Sequence, residues 1–413
     1  MMAIKWRLRR LLTVSAATFV CIMLHWLVTE PYPSEKTLVQ KLDNTVNEIT
    51  YINRPLDLLS PIERKSRLER IKSACASSPD GDTMNILVYE RKPSVRMTYC
   101  VVPKAGCTFW IRMFRFLNND TGGIRPETPF QIDRMLAHDT SRRTMKMYRL
   151  QNQDDRLFIE NSTRFMFARD PFTRVWSAYV DKLLLPNMWS STGKEVVRQR
   201  PGATARSLLC GNDVTFREFV EFIVHQAETR GPSTLNGHWR PVQYACDPCQ
   251  FKPDFVGKQE TFMDDTKAIL NHFHLDNLLH GYDKDAHVRD EIDILTDFNF
   301  DLLRNIPPEC VTAGQLSHLL WAAFQLNGYL SPFRNASVLG EGELDRGAFK
   351  RAVFGQQEQH WEEIQQAAGV YRRRSVVEAY RALPLELLYK FVDVYRMDFE
   401  YFGYDKRPLD IFS

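Results

Sequence analysis

Two parts of the chain show the same succession of patterns: a short run of β-forming apolar residues, a turn, and apolar residues at helical spacing. In the first part, strands are predicted over 84–89 and 97–102 and a helix over 108–117. In the second, a strand is predicted over 163–168 and a helix over 172–185. Strands that alternate with helices predict an α/β fold, with a mostly parallel sheet flanked by helices.

The N-terminal region differs, because residues 11–29 form a continuous apolar stretch without charged side chains. The stretch is about as long as a helix that crosses a bilayer. The alternative is a cleaved signal peptide, but the stretch is longer than the apolar core of a typical one. Residues 1–10 carry four Lys or Arg residues and no acid, which favours a cytoplasmic tail. We therefore predict a transmembrane signal-anchor helix over 11–29, in a type II orientation.

The region that follows contains prolines and scattered charges, with one possible basic helix over 61–73. Such a composition is typical of a spacer, so we predict a lumenal stem over 30–80 and one folded domain over 81–413. The composition of the chain, 44% hydrophobic and 12% aromatic, is sufficient for a well-packed core in that domain.

The formal net charge of +3 comes mainly from the cations of the predicted tail. Without those four residues, the 54 Lys and Arg residues fall to 50, against 51 Asp and Glu. The body of the protein is therefore near neutral, and a polyanion would have to be bound by local basic patches. Two basic clusters, 142–149 and 198–206, either bind an acidic glycan or are solvated surface. We expect no nucleic-acid partner.

Seven of the eight cysteines lie beyond the predicted span, on the side of the membrane where disulfides form. Seven is odd, so at least one of them is free or bonded to another chain. Cys246 and Cys249 need not pair with each other; with His238 nearby they could instead hold zinc, but a fourth clustered ligand is missing, which favours disulfides. The same compartment suits three glycosylation sequons, at Asn119, Asn161 and Asn335.

The first strand–turn–helix unit has a turn of small residues over 103–107 that includes Lys104. Unpaired backbone N–H groups at a helix N-terminus attract anions, and Lys104 adds a cation and Thr108 a hydroxyl. The pattern GxxxxGK[ST] is absent, which disfavours an ordinary ATPase or kinase. A plain turn with a solvated lysine is the alternative for this segment taken alone.

The second unit places Arg169 after its strand and Ser177 two turns into its helix. Both can then face the crevice at the carboxyl ends of the strands, where a guanidinium suits a phosphate. Asp170 is the predicted N-cap of the helix, and Pro171 lies in its first turn. A local ion pair between Arg169 and Asp170 is the alternative.

Four segments occur in an order that is hard to obtain by chance. They are VPKAGCTFW (102–110), FMFARDPFTRVWSAYVDKL (165–183), a block with HW.P, C.PC and DF.GK.ET (237–261), and a tail with Y..DF..F.Y (395–404). In these segments the chain resembles the Golgi carbohydrate sulfotransferases, in the branch that includes the chondroitin and dermatan 4-O-sulfotransferases.

The resemblance implies a P-loop-like sulfotransferase domain that uses 3′-phosphoadenosine 5′-phosphosulfate (PAPS) as sulfate donor, with no metal required. The implied donor-binding residues are Pro103, Lys104, Ala105, Gly106, Cys107, Thr108 and Phe109 for the phosphosulfate, and Arg169, Asp170, Pro171, Phe172, Thr173, Arg174 and Ser177 for the 3′-phosphate. Lys104 would also be catalytic, because its charge stabilises the bridging oxygen as the S–O bond breaks. Arg174 is a weaker candidate for binding the 3′-phosphate, and the alternative is that it is a solvated residue of the helix.

Sulfate transfer also needs a base that takes the proton of the attacking hydroxyl. We predict His138 for this role, because the resembling enzymes commonly carry a histidine between the two donor segments, and its pKa range suits the task. His238 is the rival, unless it packs beside Trp239 as a core residue. Glu260 is a third possibility.

The resemblance also implies a Golgi membrane protein with a lumenal catalytic domain. The implied acceptor is a glycan or proteoglycan, with position 4 of N-acetylgalactosamine in chondroitin or dermatan expected. The alternatives are a catalytically inactive, membrane-anchored glycan-binding protein and, more weakly, a nucleotide kinase. The chain departs from the family pattern in several features. Gly106 stands where Ala is expected in most relatives, Val242 and Ala245 stand where Gln and Leu are usual, and a lineage-specific insertion is predicted over about 286–374.

Overall fold

The structure is a computed structural model that describes residues 61–76, 81–83, 85–92, 95–141, 143–339 and 345–413. The predicted cytoplasmic tail (1–10) and transmembrane helix (11–29) lie outside the described residues. Among the helices that are described, none combines the length and the apolar character needed to span a bilayer.

A five-stranded sheet forms the centre of the domain, in the order β3-β1-β2-β4-β5. Its strands are β1 Ile86–Arg91, β2 Val95–Cys100, β3 Met147–Tyr148, β4 Thr163–Ala168 and β5 Phe255–Lys258. The pairs β2–β4 and β4–β5 are parallel, whereas β1–β2 and β1–β3 are antiparallel. The prediction of a mostly parallel sheet is therefore wrong, and the sheet is mixed. Only a few residues join β1 to β2, and such a short link permits only an antiparallel hairpin.

Helices surround the sheet and make up most of the C-terminal half. They are α1 Pro61–Cys75, α2 Cys107–Leu117, α3 Arg134–His138, α4 Gln153–Glu160, α5 Pro171–Tyr179, α6 Lys194–Arg198, α7 Ala205–Cys210, α8 Phe216–Arg230, α9 Pro248–Phe251, α10 Phe262–His272, α11 Lys284–Leu302, α12 Ala313–Asn327, α13 Arg346–Gln359, α14 Trp361–Arg381, α15 Leu385–Val394, α16 Arg396–Phe402 and α17 Leu409–Phe412. The α/β class with flanking helices is thus confirmed.

Helix α5 begins as its sequence predicts. The Asp170 side chain accepts a hydrogen bond from the Thr173 N–H, and Pro171 occupies the first turn. The predicted single helix to residue 185 is wrong, because after Tyr179 the chain continues as a π-helical turn, Val180–Leu184. Such turns shift the direction in which side chains project, and they are frequent at functional sites.

An aromatic cluster fixes α2 against the sheet. Tyr99 on β2, Trp110 on α2 and Phe165 on β4 are fully buried, and the Phe165 ring lies 5.0 Å from that of Tyr99 and 4.5 Å from that of Trp110. Such aromatic pairs contribute about 0.5–1.5 kcal/mol each beyond the burial of their area. The turn between β2 and α2 is therefore held between two rigidly packed elements.

The described residues of 286–374, the segment predicted to be an insertion, are mainly helical and share a separate core with residues that follow α5. Buried side chains of α12 and α13, among them Trp321, Phe324 and Phe349, pack with Leu185 and Trp189, which follow α5 in the chain. The insertion therefore stands next to the second donor segment, and it contributes to the surface that this segment faces.

Six cysteines form three disulfides, between Cys75 and Cys249, Cys100 and Cys246, and Cys210 and Cys310. Cys107 is free, as the odd count predicted. Because Cys246 and Cys249 bond to other cysteines, disulfide use is confirmed for both. No metal-binding cluster of His, Cys, Asp and Glu occurs in the part of the chain that the structure describes.

Helix α1, which the sequence analysis assigned to the stem, is attached to the domain in two ways. Cys75 near its end forms the disulfide to Cys249. Arg67 is buried, and its Nη1 donates to Asp265 Oδ2 at 2.8 Å and to the Val256 carbonyl at 2.9 Å. The folded unit therefore includes residues that precede the predicted boundary.

Candidate functional site

A cleft of about 810 Å³ opens at the carboxyl ends of β2 and β4. Both predicted donor segments line it, with Lys104 and Thr108 from the first and Arg169 and Ser177 from the second. Ligands of α/β folds bind at this edge of parallel strands, and the volume is in the range of small-molecule sites. The tertiary structure thus brings together two segments that are about sixty residues apart in the sequence.

The first donor segment forms a tight turn at the start of α2. Lys104 and Gly106 both have left-handed backbone conformations, with φ angles of 67° and 78°. Gly106 is the N-cap of α2, and no side chain caps the helix. The first-turn N–H groups are therefore available to an anion, and the helix dipole adds partial positive charge.

Two constraints at Gly106 disfavour Ala, the residue that the family resemblance leads us to expect at this position. A Cβ on Gly106 would lie 2.2 Å from Cε2 of Phe262, in addition to the strain of its φ of 78°. A Cβ on Gly202, with a φ of 71°, would meet nothing within 4 Å. Replacing Gly202 by Ala would therefore introduce the backbone strain without a steric clash.

We expect Gly106→Ala to lower the free energy of unfolding by about 2–5 kcal/mol, the sum of left-handed strain and overpacking. Gly202→Ala should lower it by only about 1–2 kcal/mol, because it incurs the strain alone. Chemical denaturation of the two variants would check this. Equal losses would show that Phe262 moves aside freely and that the clash has no energetic consequence.

The second donor segment contacts the first directly. Arg169 Nη1 donates to the Lys104 carbonyl at 3.1 Å, and Arg169 Nε donates to Thr173 Oγ1 at 3.2 Å. Thr173 Oγ1 in turn donates to the Asp170 carbonyl at 3.0 Å. These bonds fix the guanidinium at the cleft wall, next to the turn that carries Lys104.

Several residues of the predicted donor segments do not line the cleft. Phe172 is fully buried in a second core, with its ring 4.9 Å from that of Tyr380, and Pro171 and Ala105 are also buried. Asp170 and Thr173 form the N-terminal cap of α5, through the hydrogen bond from the Thr173 N–H to the Asp170 side chain. Pro103, Cys107 and Phe109 do line the cleft, together with the residues already named.

Arg174 is neither at the cleft nor solvated. Its side chain is fully buried, lies 3.8 Å from Asp398 and donates to the carbonyls of His238 and Arg240. Burial raises the pKa of Asp398 to about 6, although the Arg174 guanidinium opposes this rise. Arg174 therefore ties the C-terminal segment to the loop that carries His238, and its charge is not free for a phosphate.

A network of charged side chains surrounds Lys104. Its Nζ donates to Asp181 Oδ2 at 2.8 Å, and Asp181 also lies 3.3 Å from Lys182 and 3.6 Å from Arg134. Arg134 in turn binds Glu291 of α11 at 2.7 Å. Burial alone would raise the pKa of Asp181, but the three cations hold this pKa well below its usual range. Asp181 is therefore ionised and balances the charge of Lys104.

The sequence analysis missed several members of the cleft wall. Arg134 precedes His138 by one helical turn, and Asp181 follows Ser177 by four residues, so helical spacing could have indicated both. Tyr329 and Arg372 come from the insertion and also line the cleft. No local pattern pointed to these two, because only the packing of the insertion brings them to the site.

Both histidines proposed as base line the cleft, and they have different hydrogen bonds. His138 Nε2 lies 2.9 Å from Thr108 Oγ1. His238 Nδ1 lies 2.8 Å from Asn236 Oδ1, which also accepts the His238 backbone N–H. Because this amide oxygen can only accept, the proton of His238 sits on Nδ1, and Nε2 carries a lone pair.

Electrostatics keep both histidines neutral. Burial, followed by the Lys182 and Lys104 cations, lowers the pKa of His238 to about 3. Burial, followed by the Arg134 and Lys182 cations, lowers the pKa of His138 to about 4. Each imidazole is therefore able to accept a proton at neutral pH.

Glu260, the third possible base, is held in structural contacts. Its Oε1 accepts from the Asp170 N–H at 3.1 Å, and its Oε2 accepts from the Tyr404 hydroxyl at 2.9 Å. Glu260 thus joins the start of α5 to the C-terminal segment.

A comparison with known protein families agrees with the cleft formed by the two donor segments. The model of the sulfotransferase family matches residues 89–295, half of the chain, and the match includes both donor segments and the two histidines proposed as base. The chain belongs to the sulfotransferase family. The family predicted from the sequence motifs is therefore confirmed.

Curated relatives of this sulfotransferase are carbohydrate sulfotransferases. Carbohydrate sulfotransferase 11 of Danio rerio is 36% identical over 179 residues, which are 42% of this chain and 49% of the relative. Carbohydrate sulfotransferase 14 of Danio rerio is 29% identical over 244 residues, 57% of this chain and 58% of the relative. Carbohydrate sulfotransferase 8 of Homo sapiens is 33% identical over 182 residues, 43% of this chain and 40% of the relative.

The chain thus spans about half the length of the curated relatives that it matches. No solved structure matches it significantly.

Proposed function

We propose that this sulfotransferase transfers sulfate from PAPS to a hydroxyl of a glycan. The observation that carries the proposal is the direct contact of two anion-binding segments in one cleft, through the Arg169–Lys104 hydrogen bond. The turn at Lys104 suits the phosphosulfate, and Arg169 with Ser177 suits a second, separate phosphate. PAPS carries both groups, whereas ATP lacks the 3′-phosphate.

In the proposed reaction, the acceptor hydroxyl oxygen attacks sulfur, and the bond between sulfur and the phosphate oxygen breaks. The products are the sulfate ester and 3′-phosphoadenosine 5′-phosphate (PAP). Lys104 stabilises the charge that develops on the leaving phosphate oxygen, and the first-turn N–H groups of α2 assist. The proton of the acceptor hydroxyl passes to a histidine of the cleft.

One observation favours His238 as that base over His138, which the sequence analysis placed first. Asn236 orients the His238 ring and leaves its Nε2 lone pair free, whereas Nε2 of His138 is engaged with Thr108. A base held by a third group is a recurrent arrangement in acid–base catalysis.

Replacing Arg169 by Ala tests the assignment of the 3′-phosphate. We expect KM for PAPS to rise about 10–100-fold, because a charge-assisted hydrogen bond is worth about 1.5–3 kcal/mol. With adenosine 5′-phosphosulfate, which lacks the 3′-phosphate, the variant and the wild type should differ little. Initial rates with both donors would be compared.

The matched control is Arg217→Ala, which removes an exposed arginine that pairs with Glu221 on α8. It should leave both KM values unchanged. An equal loss for the two donors in Arg169→Ala would show that Arg169 only supports the fold of the turn.

For the acceptor, we propose position 4 of N-acetylgalactosamine in chondroitin or dermatan, as the motif resemblance implies. The cations along the cleft support an acidic glycan: Arg143 of the first basic cluster, Lys182, Lys284 and Arg372 all line it. The arginines of the second cluster do not line the cleft, and Arg200 is paired with Asp213 and Glu218.

An acceptor panel would test this choice. With labelled PAPS, we expect desulfated chondroitin or dermatan to be sulfated faster than a neutral oligosaccharide that ends in N-acetylgalactosamine. Disaccharide analysis of the product should show 4-sulfation. Preference for the neutral acceptor, or sulfation at another carbon, would contradict the assignment.

We also propose a type II protein of the Golgi membrane, anchored by 11–29, with the domain in the lumen. Three disulfides and the exposed side chains of Asn119, Asn161 and Asn335 support an oxidising, glycosylating compartment. Digestion with an N-glycosidase should increase the electrophoretic mobility of the protein from cells. An unchanged mobility, together with reduced cysteines, would contradict a lumenal location.

A further inference from the structure

The charged network around Lys104 extends beyond the donor segments to α11. Glu291 of α11 accepts from Arg134 Nη1 at 2.7 Å and lies 3.9 Å from Nη2 of Arg112, a residue of α2. Arg134 also lies 3.6 Å from Asp181, which binds the Lys104 amine. Lys104 is thus connected to α11 through Asp181 and Arg134, although these residues are far apart in the sequence.

The side chains of this network are largely shielded from solvent. Their exposed fractions range from 2% for Arg112 to 24% for Arg134. At such sites an ion pair is stronger than at the surface, and removal of one partner leaves the other charge without compensation. A change in either acid of the network therefore acts on the cations that remain.

Three cations approach the same oxygen of Asp181. The distances to Oδ2 are 2.8 Å from Lys104, 3.3 Å from Lys182 and 3.6 Å from Arg134. Arg134 is the most distant of the three, and its shorter bond is the one to Glu291. Without Glu291, Asp181 would be the one that remains of the two acids that Arg134 contacts. Arg134 would then compete with Lys104 for Oδ2.

Titratable side chains from several elements interact with the charge of Lys104. They are Asp181 and Lys182 of the π-helical turn, Arg134 of α3, Cys107 of α2 and His238. Burial raises the pKa of the Cys107 thiol and lowers the pKa of His238 to about 3, so both groups are neutral at pH 7. Of the five, Asp181 is therefore the group that carries negative charge.

Asp181 acts on the protonation of Lys104. Burial lowers the pKa of Lys104, the Asp181 carboxylate opposes this fall, and the Arg134 and Lys182 cations add to it. Burial raises the pKa of Asp181, but the surrounding cations hold that pKa well below its usual range, which makes Asp181 a poor base. Its carboxylate is thus suited to support Lys104, and not to accept a proton from the acceptor hydroxyl.

We propose that Asp181 and Glu291 are positioning residues for Lys104. Asp181 holds the amine at the cleft in its charged form, and Glu291 holds Arg134 so that this guanidinium does not displace Lys104 from Oδ2. The consequence for catalysis rests on the proposed sulfate transfer, in which Lys104 acts as a cation. Through Glu291, α11 of the predicted insertion takes part in that reaction indirectly.

The first measurement is the protonation of Lys104 in the intact, donor-free chain. Acetic anhydride acylates unprotonated amines, so labelling of Lys104 against pH, read by mass spectrometry with Lys390 as internal reference, gives the midpoint of its titration. Asp181→Asn should move this midpoint to lower pH by at least about one unit, because a close opposite charge shifts a pKa by about 1–3. Glu291→Gln should move it in the same direction by a smaller interval.

The second measurement is kcat/KM for PAPS against pH, which reports the ionisations of the free enzyme. Lys104 acts as a cation, so activity is present below its pKa and is lost as the pH rises through it. In Asp181→Asn this loss should begin at lower pH than in the wild type, by about the interval seen in labelling. Asp181→Glu keeps the carboxylate and should return both curves towards those of the wild type.

Asp155→Asn is the matched control. Asp155 is a buried acid that binds Lys146 Nζ at 2.9 Å, and neither residue lines the donor cleft. This variant should leave the labelling midpoint of Lys104 and the pH dependence of kcat/KM unchanged. Thermal unfolding verifies the fold of each variant, and Glu291→Gln carries the test if Asp181→Asn does not fold.

Three results would overturn the proposal: Asp181→Asn leaves the midpoint in place, Asp181→Glu moves it as far as Asp181→Asn does, or Glu291→Gln behaves as the wild type. Labelling separates this inference from the proposed function. A shifted midpoint in a protein whose wild type transfers no sulfate would refute sulfate transfer alone. Sulfate transfer with an unshifted midpoint would refute the positioning role alone.

Discussion

Lys104→Ala should reduce kcat for sulfate transfer from PAPS by about 10²–10³-fold, because it removes the cation that stabilises the leaving phosphate oxygen. The Lys104 side chain is 14% exposed and faces the cleft from the turn before α2. The measurement is transfer of labelled sulfate at saturating donor and acceptor.

Lys390→Ala is the control for Lys104→Ala, because Lys390 forms only exposed ion pairs with Glu228 and Glu386. Calorimetry with PAP should show that both variants still bind nucleotide and are therefore folded. Wild-type kcat in Lys104→Ala would contradict the catalytic role.

The same assay on the wild type tests the alternative functions. Sulfate transfer would exclude the inactive glycan-binding alternative, whereas ATP consumption without sulfate transfer would favour a kinase.

His238→Ala should lower kcat by about 10²–10⁴-fold, the usual range for loss of a general base. The reason is geometric: the bond from Nδ1–H to Asn236 presents the free Nε2 lone pair to the cleft. His138→Ala should cause a smaller loss, because that ring is engaged with Thr108. Initial rates of the two variants at saturating substrates would rank the histidines.

The pH profile tests whether the base is a histidine with a lowered pKa, which is true of both His238 and His138. Because the pKa of His238 is lowered to about 3, the neutral form persists below pH 6.5, and kcat/KM at limiting PAPS should stay nearly constant between pH 8 and 6. A histidine with an ordinary pKa of about 6.5 would lose about three quarters of its neutral form at pH 6. His225→Ala, an exposed histidine on α8, is the control. A larger loss in His138→Ala than in His238→Ala would return the role to His138.

Local sequence patterns determined the elements that form the donor site. The bounds of β4, the start of α2 within one residue and the cap of α5 by Asp170 all follow from spacing and capping preferences, which act over a few residues. The odd number of cysteines likewise predicted that at least one is free or bonded to another chain, and the structure identifies Cys107 as free. Motif order was sufficient for the family, because it does not depend on the arrangement in space.

The tertiary structure decided which side chains reach the cleft. Arg174 and Ser177 lie on one short helix, yet Arg174 is buried against Asp398, a residue more than two hundred positions away, and only Ser177 faces the cleft. The mixed sheet and the π-helical turn that aims Asp181 at Lys104 also depend on packing. Contacts between distant segments set these features, and their energies leave no periodic signal in the local sequence.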